Sequence, residues 1–407
     1  MAMLHPFRAL RPRPEQASAV AAVPYDVVST TEARALAADN PLSFLRVSRP
    51  EIELPADTDP YADAVYQAAV RNFARLRAAA PLVEEATPSV YVYRLRMGTH
   101  EQSGVAACFS VDEYERDVIR KHERTRKDKE DDRTRHIIEL RAQTGPVFLT
   151  YPASAEVDQG VARTVADRPL FDFIAADGVQ HTVWPVGDAT ADSLVSAFAQ
   201  VPLLYIADGH HRAASAMRAR RALRDRTPGE GALEADTFLA VAFPHDQTQI
   251  LPYHRVVKDL AGHTPASLLQ ALARRVGVTP GSDTPGGPGA VAMYLAGQWY
   301  TLHLAPAADG TLAADRLDVS LLHEQVLRPL LRVGDPRTDK RIDFIGGIRG
   351  PAALAARVDE GAAAVAFALH PVGVEDLMRI ADSGGIMPPK STWFEPKLRD
   401  GLLTHLI

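Results

Sequence analysis

Apolar residues recur every three or four positions through residues 61–79 (YADAVYQAAVRNFARLRAA), which predicts a long amphipathic helix. The segments SVYVYRLRM and SGVAACFSVDEY alternate instead, and predict two strands joined by the turn-like GTHEQSG. VFLTY at 147–151 and LLYI at 203–206 are short apolar runs with the composition of buried strands. Between them, residues 152–200 read as helix, strand, strand, helix, with Asp177-Gly178 as a hairpin signal. Gly209 breaks the second apolar run. The alanines from Ala213 then favour a helix to about Arg226, followed by a loop, TPGEGALEA. DTFLAVAFP and TQILPYHRVVKDL predict two strands, neighbours in one sheet. Later segments predict helices at PASLLQALARRVG, VSLLHEQVLRPLL, GPAALAARVDEG and VEDLMRIADSG, with strands at VAMYLAG, WYTLHLA and AAVAFALHPV. Nearer the start, TTEARALAADNP predicts a helix ended at Asn40-Pro41, SFLRVSRPEIELP a strand, and AVPYDVVS an irregular lead into a short strand.

This alternation gives a mixed α/β chain. Its 407 residues suffice for two or three lobes at ~150 residues each. We place a core at 1–230, a middle α/β lobe at 231–335 around the linker-like GSDTPGGPG, and a C-terminal segment at 336–407. A net charge of −6 gives no electrostatic reason to expect a nucleic-acid partner. The one cysteine, Cys108, excludes an intramolecular disulfide and lies in an apolar strand. The N-terminus lacks an apolar targeting core, and no segment approaches ~18 uninterrupted apolar residues, so the expectation is a cytoplasmic protein with no membrane partner.

The chemistry concentrates where LLYIADGHHRAASAM passes from strand to helix. The first N–H groups of a helix have no intrahelical partner and favour an anion. Gly209, His210, His211 and Arg212 fall at that spot, with Asp208 just before. The plainer alternative is a polar loop with Asp208 as N-cap. Five such residues together add nothing to a core, and the run predicts a phosphate or oxyanion site. Residues 116–135 are mostly ionisable. They fit a solvated helix with Arg126–Glu130 and Lys127–Asp131 pairs, although Lys121, His122, Glu123, Arg124 and Lys127 cluster at one end and His136 lies at the other. Near the C-terminus, Pro388 and Pro389 hold Lys390, Ser391 and Thr392 in an extended approach. This is no P-loop, because prolines lack the N–H groups such a loop needs. It is either a capped surface loop or a ligand hook.

VPYDVVS, KHERTRKDKEDDR, TGPVFLTY, YIADGHHRAAS and MPPKSTWFEPK together resemble a widespread bacterial and archaeal family catalogued as a domain of unknown function, DUF1015. More distantly, three boxes resemble free L-serine kinases on the ParB/sulfiredoxin-like fold. The resemblance implies a ParB/sulfiredoxin-like core with additional α/β lobes. It implies phosphoryl transfer from ATP, ADP or pyrophosphate to L-serine, giving O-phospho-L-serine. It implies Glu123 as catalytic base, with Asp208 and His211 in the catalytic group and Asp208 also holding Mg²⁺. Gly209, His210, His211 and Arg212, aided by Lys121, His122, Arg124 and Lys127, would hold the donor. Lys390, Ser391 and Thr392 would hold the amino acid. A homodimer is one assembly it allows. Trp393 and Phe394 depart from the kinase pattern, and the chain is much longer. The competing classes are a ParB-like module binding CTP and DNA, a sulfiredoxin-type reductase, which would need a reactive cysteine in the phosphate box, and another phosphotransferase or hydrolase.

Overall fold

The run that alternates between residues 91 and 110 folds as an antiparallel pair, Tyr91–Met97 against His100–Ser110, with Tyr91 opposite Ala106. In the computed structural model, which describes residues 2–79, 82–226 and 231–407, this pair lies inside a nine-stranded mixed sheet. The order across it is Ile119–Arg120, Leu204–Asp208, Val147–Tyr151, Thr237–Pro244, His100–Ser110, Tyr91–Met97, Gln180–Pro185 and Phe171–Ile174, with Leu4–His5 also on His100–Ser110. The central strands read as continuous apolar runs because both faces are covered. Cys108 is buried there, and burial pushes its thiol up.

The chain divides into two compact units, one of residues 1–248 with 396–407 and the other of residues 249–395. The division therefore falls at 248/249 and 395/396, not at 230/231 and 335/336. Thr237–Pro244 lies parallel to Val147–Tyr151 in the first unit, whereas Gln249–Leu251 and Tyr253–Val257 belong to the second. The two segments expected as sheet neighbours are thus in different sheets. The loop at 281–289 lies within the second unit and is not a linker.

In the first unit the helix Asp63–Ala79 buries Val65, Ala69, Asn72, Phe73 and Leu76, the stripe that its periodicity predicts. A four-stranded sheet joins Val83–Glu84, Ala9–Arg11, Thr404–Leu406 and Ala142–Gln143. The SFLRVSRP segment forms two helical turns, Leu45–Ser48 and Pro50–Glu53, in place of the expected strand. Phe44, Leu45 and Val47 all turn into one core with Val20 and Phe73, and a strand would send alternate residues outward. VPYDVVS forms turns and bends, with no strand. Residues 227–230 of the expected TPGEGALEA loop lie outside the described residues.

The second unit holds a six-stranded sheet ordered Gly277–Pro280, Gln298–His303, Ala290–Leu295, Val365–Ala368, Tyr253–Val257 and Ile342–Gly346, and a separate pair, Gln249–Leu251 with Trp393–Glu395. Helices Pro265–Ala273, Gly350–Asp359 and Val374–Asp382 accompany it, as the sequence predicts. No described helix is long and apolar enough to cross a membrane.

Candidate functional site

The apolar run beginning at Leu204 forms the strand Leu204–Asp208, and the helix His210–Arg224 follows. Gly209 makes the turn at φ +94, in the left-handed region that an L side chain rarely adopts, and an added Cβ would meet Arg212 Nε at 2.9 Å. Gly209, not Asp208, occupies the N-cap position, and no side chain caps the helix. No cap side chain accepts from the first N–H groups of this helix, the groups that an anion favours at a helix start.

Strand pairing explains how a distant segment reaches this turn. Leu204 and Tyr205 lie beside Ile119 and Arg120 in parallel. Parallel neighbours end on the same edge of a sheet, so the residues after Arg120 emerge next to the residues after the Leu204 strand. As a result, ligating atoms of His122, Glu123 and His210 all lie within 4.8 Å of one another. The two imidazoles meet edge to face, with centroids 4.4 Å apart at 89°. Both are buried, and Glu123 is half-buried.

Burial holds His122 down to about 4, with the Ile206 main chain and the Asp208 carboxylate opposing. Burial, and then the neighbouring His122, hold His210 well below the ordinary imidazole range. Neutral rings bring hydrogen-bonding and ligating nitrogens to the site, but no positive charge.

The charge comes from elsewhere. Asp208 accepts from Arg212 Nη2 at 3.1 Å and from Lys397 Nζ at 3.5 Å. Burial raises its pKa, but Lys397, then Arg212 and His210 outweigh that and hold the carboxyl below its usual range. Arg212 also donates to the Pro146 carbonyl, so the TGP box braces the guanidinium. Lys397 was missed in sequence. It lies in the FEPK stretch quoted for the family, and its signal was a lysine beside Pro396 to which no role had been given.

The other expected donor contacts differ in placement. His211 Nε2 accepts from the Arg126 main-chain N–H at 3.0 Å, tying the helix to the segment after Glu123. Lys121 pairs with Asp117 at 2.7 Å and lies over the Tyr114 ring. Arg124 and Lys127 are exposed. The expected Arg126–Glu130 and Lys127–Asp131 helix pairs give way to Arg218, which binds Glu130 at 3.2 Å and also Asp131, while Arg126 pairs with Asp128.

Behind Arg212, a pocket of about 40 Å³ is lined by Tyr25, Arg133, His136, Thr144 and Asp400, so the VPYD and TGP boxes meet there. Asp400 is buried with Oδ1 lacking a hydrogen-bond partner. Burial pushes it up to about 7, with Arg212 opposing and Asp26 adding.

Lys390, Ser391 and Thr392 belong to the second unit. Lys390 adopts φ +57 with its ammonium 5.5 Å from the Tyr253 ring centroid. Arg255 holds the Lys390 and Pro389 carbonyls at 2.9 and 3.1 Å, and Ser391 Oγ donates to the Pro388 carbonyl at 2.7 Å. Within that unit Ser391 borders a cavity of about 90 Å³ that Arg316, Asp318 and His370 also line.

Fold and site define a mixed α/β protein in which an uncapped helix N-terminus adjoins a His-Glu pair. The chain belongs to the family described as a protein of unknown function, DUF1015, whose model matches residues 4–320. No curated protein matches it. Among solved structures it is similar to a conserved hypothetical protein from Pyrococcus furiosus, at 13% identity and TM-score 0.35, covering 74% of this chain and 95% of that one. It is similar to SbnI with C-terminal truncation from Staphylococcus aureus, at 13% identity and TM-score 0.38, covering 74% and 87%. It is also similar to a free serine kinase in complex with AMP, at 13% identity and TM-score 0.34, covering 74% and 91%.

Proposed function

We propose that the protein is a free L-serine kinase with a ParB/sulfiredoxin-like core, transferring a phosphoryl group from pyrophosphate, ATP or ADP to the serine hydroxyl. The observation that carries this reading is the position of Glu123, with a carboxylate oxygen within 4.8 Å of imidazole nitrogens of His122 and His210 at the start of an uncapped helix. Phosphoryl transfer needs an in-line pose, dispersal of phosphate charge and a group that takes the acceptor's proton. The N–H groups at Gly209, His210 and His211 would receive donor oxygens, and His210 would add a ring donor. As the serine oxygen bonds to phosphorus and the donor's bridging P–O bond breaks, the hydroxyl proton passes to Glu123. Lys390, Ser391 and Thr392 would hold the amino acid's carboxylate or hydroxyl.

Asp208 does not fit as a ligand for Mg²⁺. Its carboxylate is already shared by Arg212 and Lys397. We assign it to fixing those two cations behind the phosphate turn, and route no step through magnesium.

The test is formation of O-phospho-L-serine from serine with ATP, ADP and pyrophosphate in turn. Glu123→Gln should cut turnover by at least ~10²-fold while donor affinity stays nearly intact. An active Gln variant removes the base assignment, and no phosphoserine with any donor removes the kinase reading.

A further inference from the structure

We propose that His122, Glu123 and His210 form a binding site for a divalent transition-metal ion. Three ligating atoms, two imidazole nitrogens and a carboxylate oxygen, lie within 4.8 Å of one another. Ligands on a tetrahedral ion at about 2.0–2.1 Å sit about 3.3 Å apart, so modest side-chain rotation closes the set. Two imidazoles with one carboxylate suit zinc, cobalt or iron, and leave further coordination positions open. Magnesium prefers an all-oxygen shell, which this cluster does not offer.

A second observation points to a ligand. His122 and His210 are 2% and 6% exposed, and both ring nitrogens of His122 and Nε2 of His210 lack a hydrogen-bond partner. The Ile206 main chain lies near the His122 ring without bonding geometry. Among the described residues other fully buried imidazoles make at least one hydrogen bond, although Nε2 of His181 also lacks a partner, whereas His122 makes none through either nitrogen. His136 meets the Val47 carbonyl at 2.9 Å, His181 the Tyr93 hydroxyl at 2.9 Å and His405 the Glu234 carbonyl at 3.1 Å. Nitrogens buried without partners are costly, and a metal ion relieves them at once. Two such rings, edge to face and beside a carboxylate, are what a core histidine pair does not explain. The site is independent of the kinase reading. Glu123 ligates through one oxygen and keeps the other for a proton.

The full chain is stripped with chelator, dialysed, and titrated with Co²⁺ by visible absorption and with Zn²⁺ by equilibrium dialysis, without donor or serine. One ion per chain is expected. His122→Ala and His210→Ala should each weaken binding at least tenfold, and His303→Ala at an exposed position should not. Circular dichroism checks folding. Should a histidine variant fail to fold, Glu123→Gln replaces it, and a changed Co²⁺ spectrum with weaker binding is expected. No stoichiometric binding, or binding unaltered by these substitutions, overturns the site. Phosphoserine formation by a chain that binds no ion likewise overturns it and leaves the kinase reading standing. Ion binding without phosphoserine formation supports it and counts only against the kinase.

Discussion

Replacing Asp208 with asparagine removes the carboxylate that Arg212 and Lys397 share. The side chains of Arg212 and Lys397 are 10% and 9% exposed and that of Asp208 is 27% exposed. Removing one member of a buried ion pair costs about 3–5 kcal/mol, and the partial exposure of Asp208 puts this case near 3 kcal/mol. At ~1.4 kcal/mol per factor of ten, the folding equilibrium of the first unit should fall roughly a hundredfold. Asp208→Asn with Lys397→Met should cost less than Asp208→Asn alone, because one buried cation goes with its anion. A chain of two units has no single unfolding free energy. The assay is therefore urea titration read by hydrogen-exchange mass spectrometry on peptides from His100–Ser110 and Thr237–Pro244, with Ala290–Leu295 of the second unit as internal reference. The pH dependence has a definite sign. The folded carboxyl sits below its unfolded value, so its contribution is complete above about pH 4 and is lost as pH falls through the folded value. The gap between wild type and Asp208→Asn should narrow below that pH. An unchanged midpoint in the first unit, or a double variant weaker than the single one, refutes the reasoning.

Asp400 has the opposite sign. With its folded pKa raised to about 7, stability declines as pH climbs from the unfolded value near 4 to 7, so Asp400→Asn should gain on wild type over that window in the same exchange assay. Equal pH profiles would contradict the buried, unsatisfied carboxyl. Gly104→Ala would place a Cβ 2.7 Å from Phe243 Cδ1 and 2.8 Å from the Ala242 carbonyl oxygen, in a ladder that cannot yield on the backbone side. It should cost ~1–3 kcal/mol, visible as a lower urea midpoint for Thr237–Pro244, and a neutral effect would mean the strands spread freely.

The strand–turn–helix at 203–217 was legible because its signals are local: an apolar run, a glycine and an alanine-rich start. The approach of Glu123 was not, since it depends on pairing by a two-residue strand, Ile119–Arg120, too short to show any period. Phe44, Leu45 and Val47 have spacing that suits a strand, and only packing with Val20 and Phe73 decides for helix. The charged helix Lys127–Leu140 hid two buried polar members, Asp132 and His136. Tyr66 and Arg133 satisfy Asp132 at 2.8 and 2.7 Å, partners no local rule supplies. Apolar content could not tell Thr237–Pro244 from Tyr253–Val257, because sheet membership is a long-range property.

Residues 396–407 complete the first unit only after all of 249–395 has been synthesised. The nascent chain therefore carries Asp208 and Arg212 for nearly 190 residues of translation before Lys397 exists to join them. The four-stranded sheet waits with Ala9–Arg11 and Ala142–Gln143 lacking the strand Thr404–Leu406 that lies between them. On the ribosome the order of maturation is thus inverted: the inserted unit can finish first, and Lys397 joins the turn at Gly209 last.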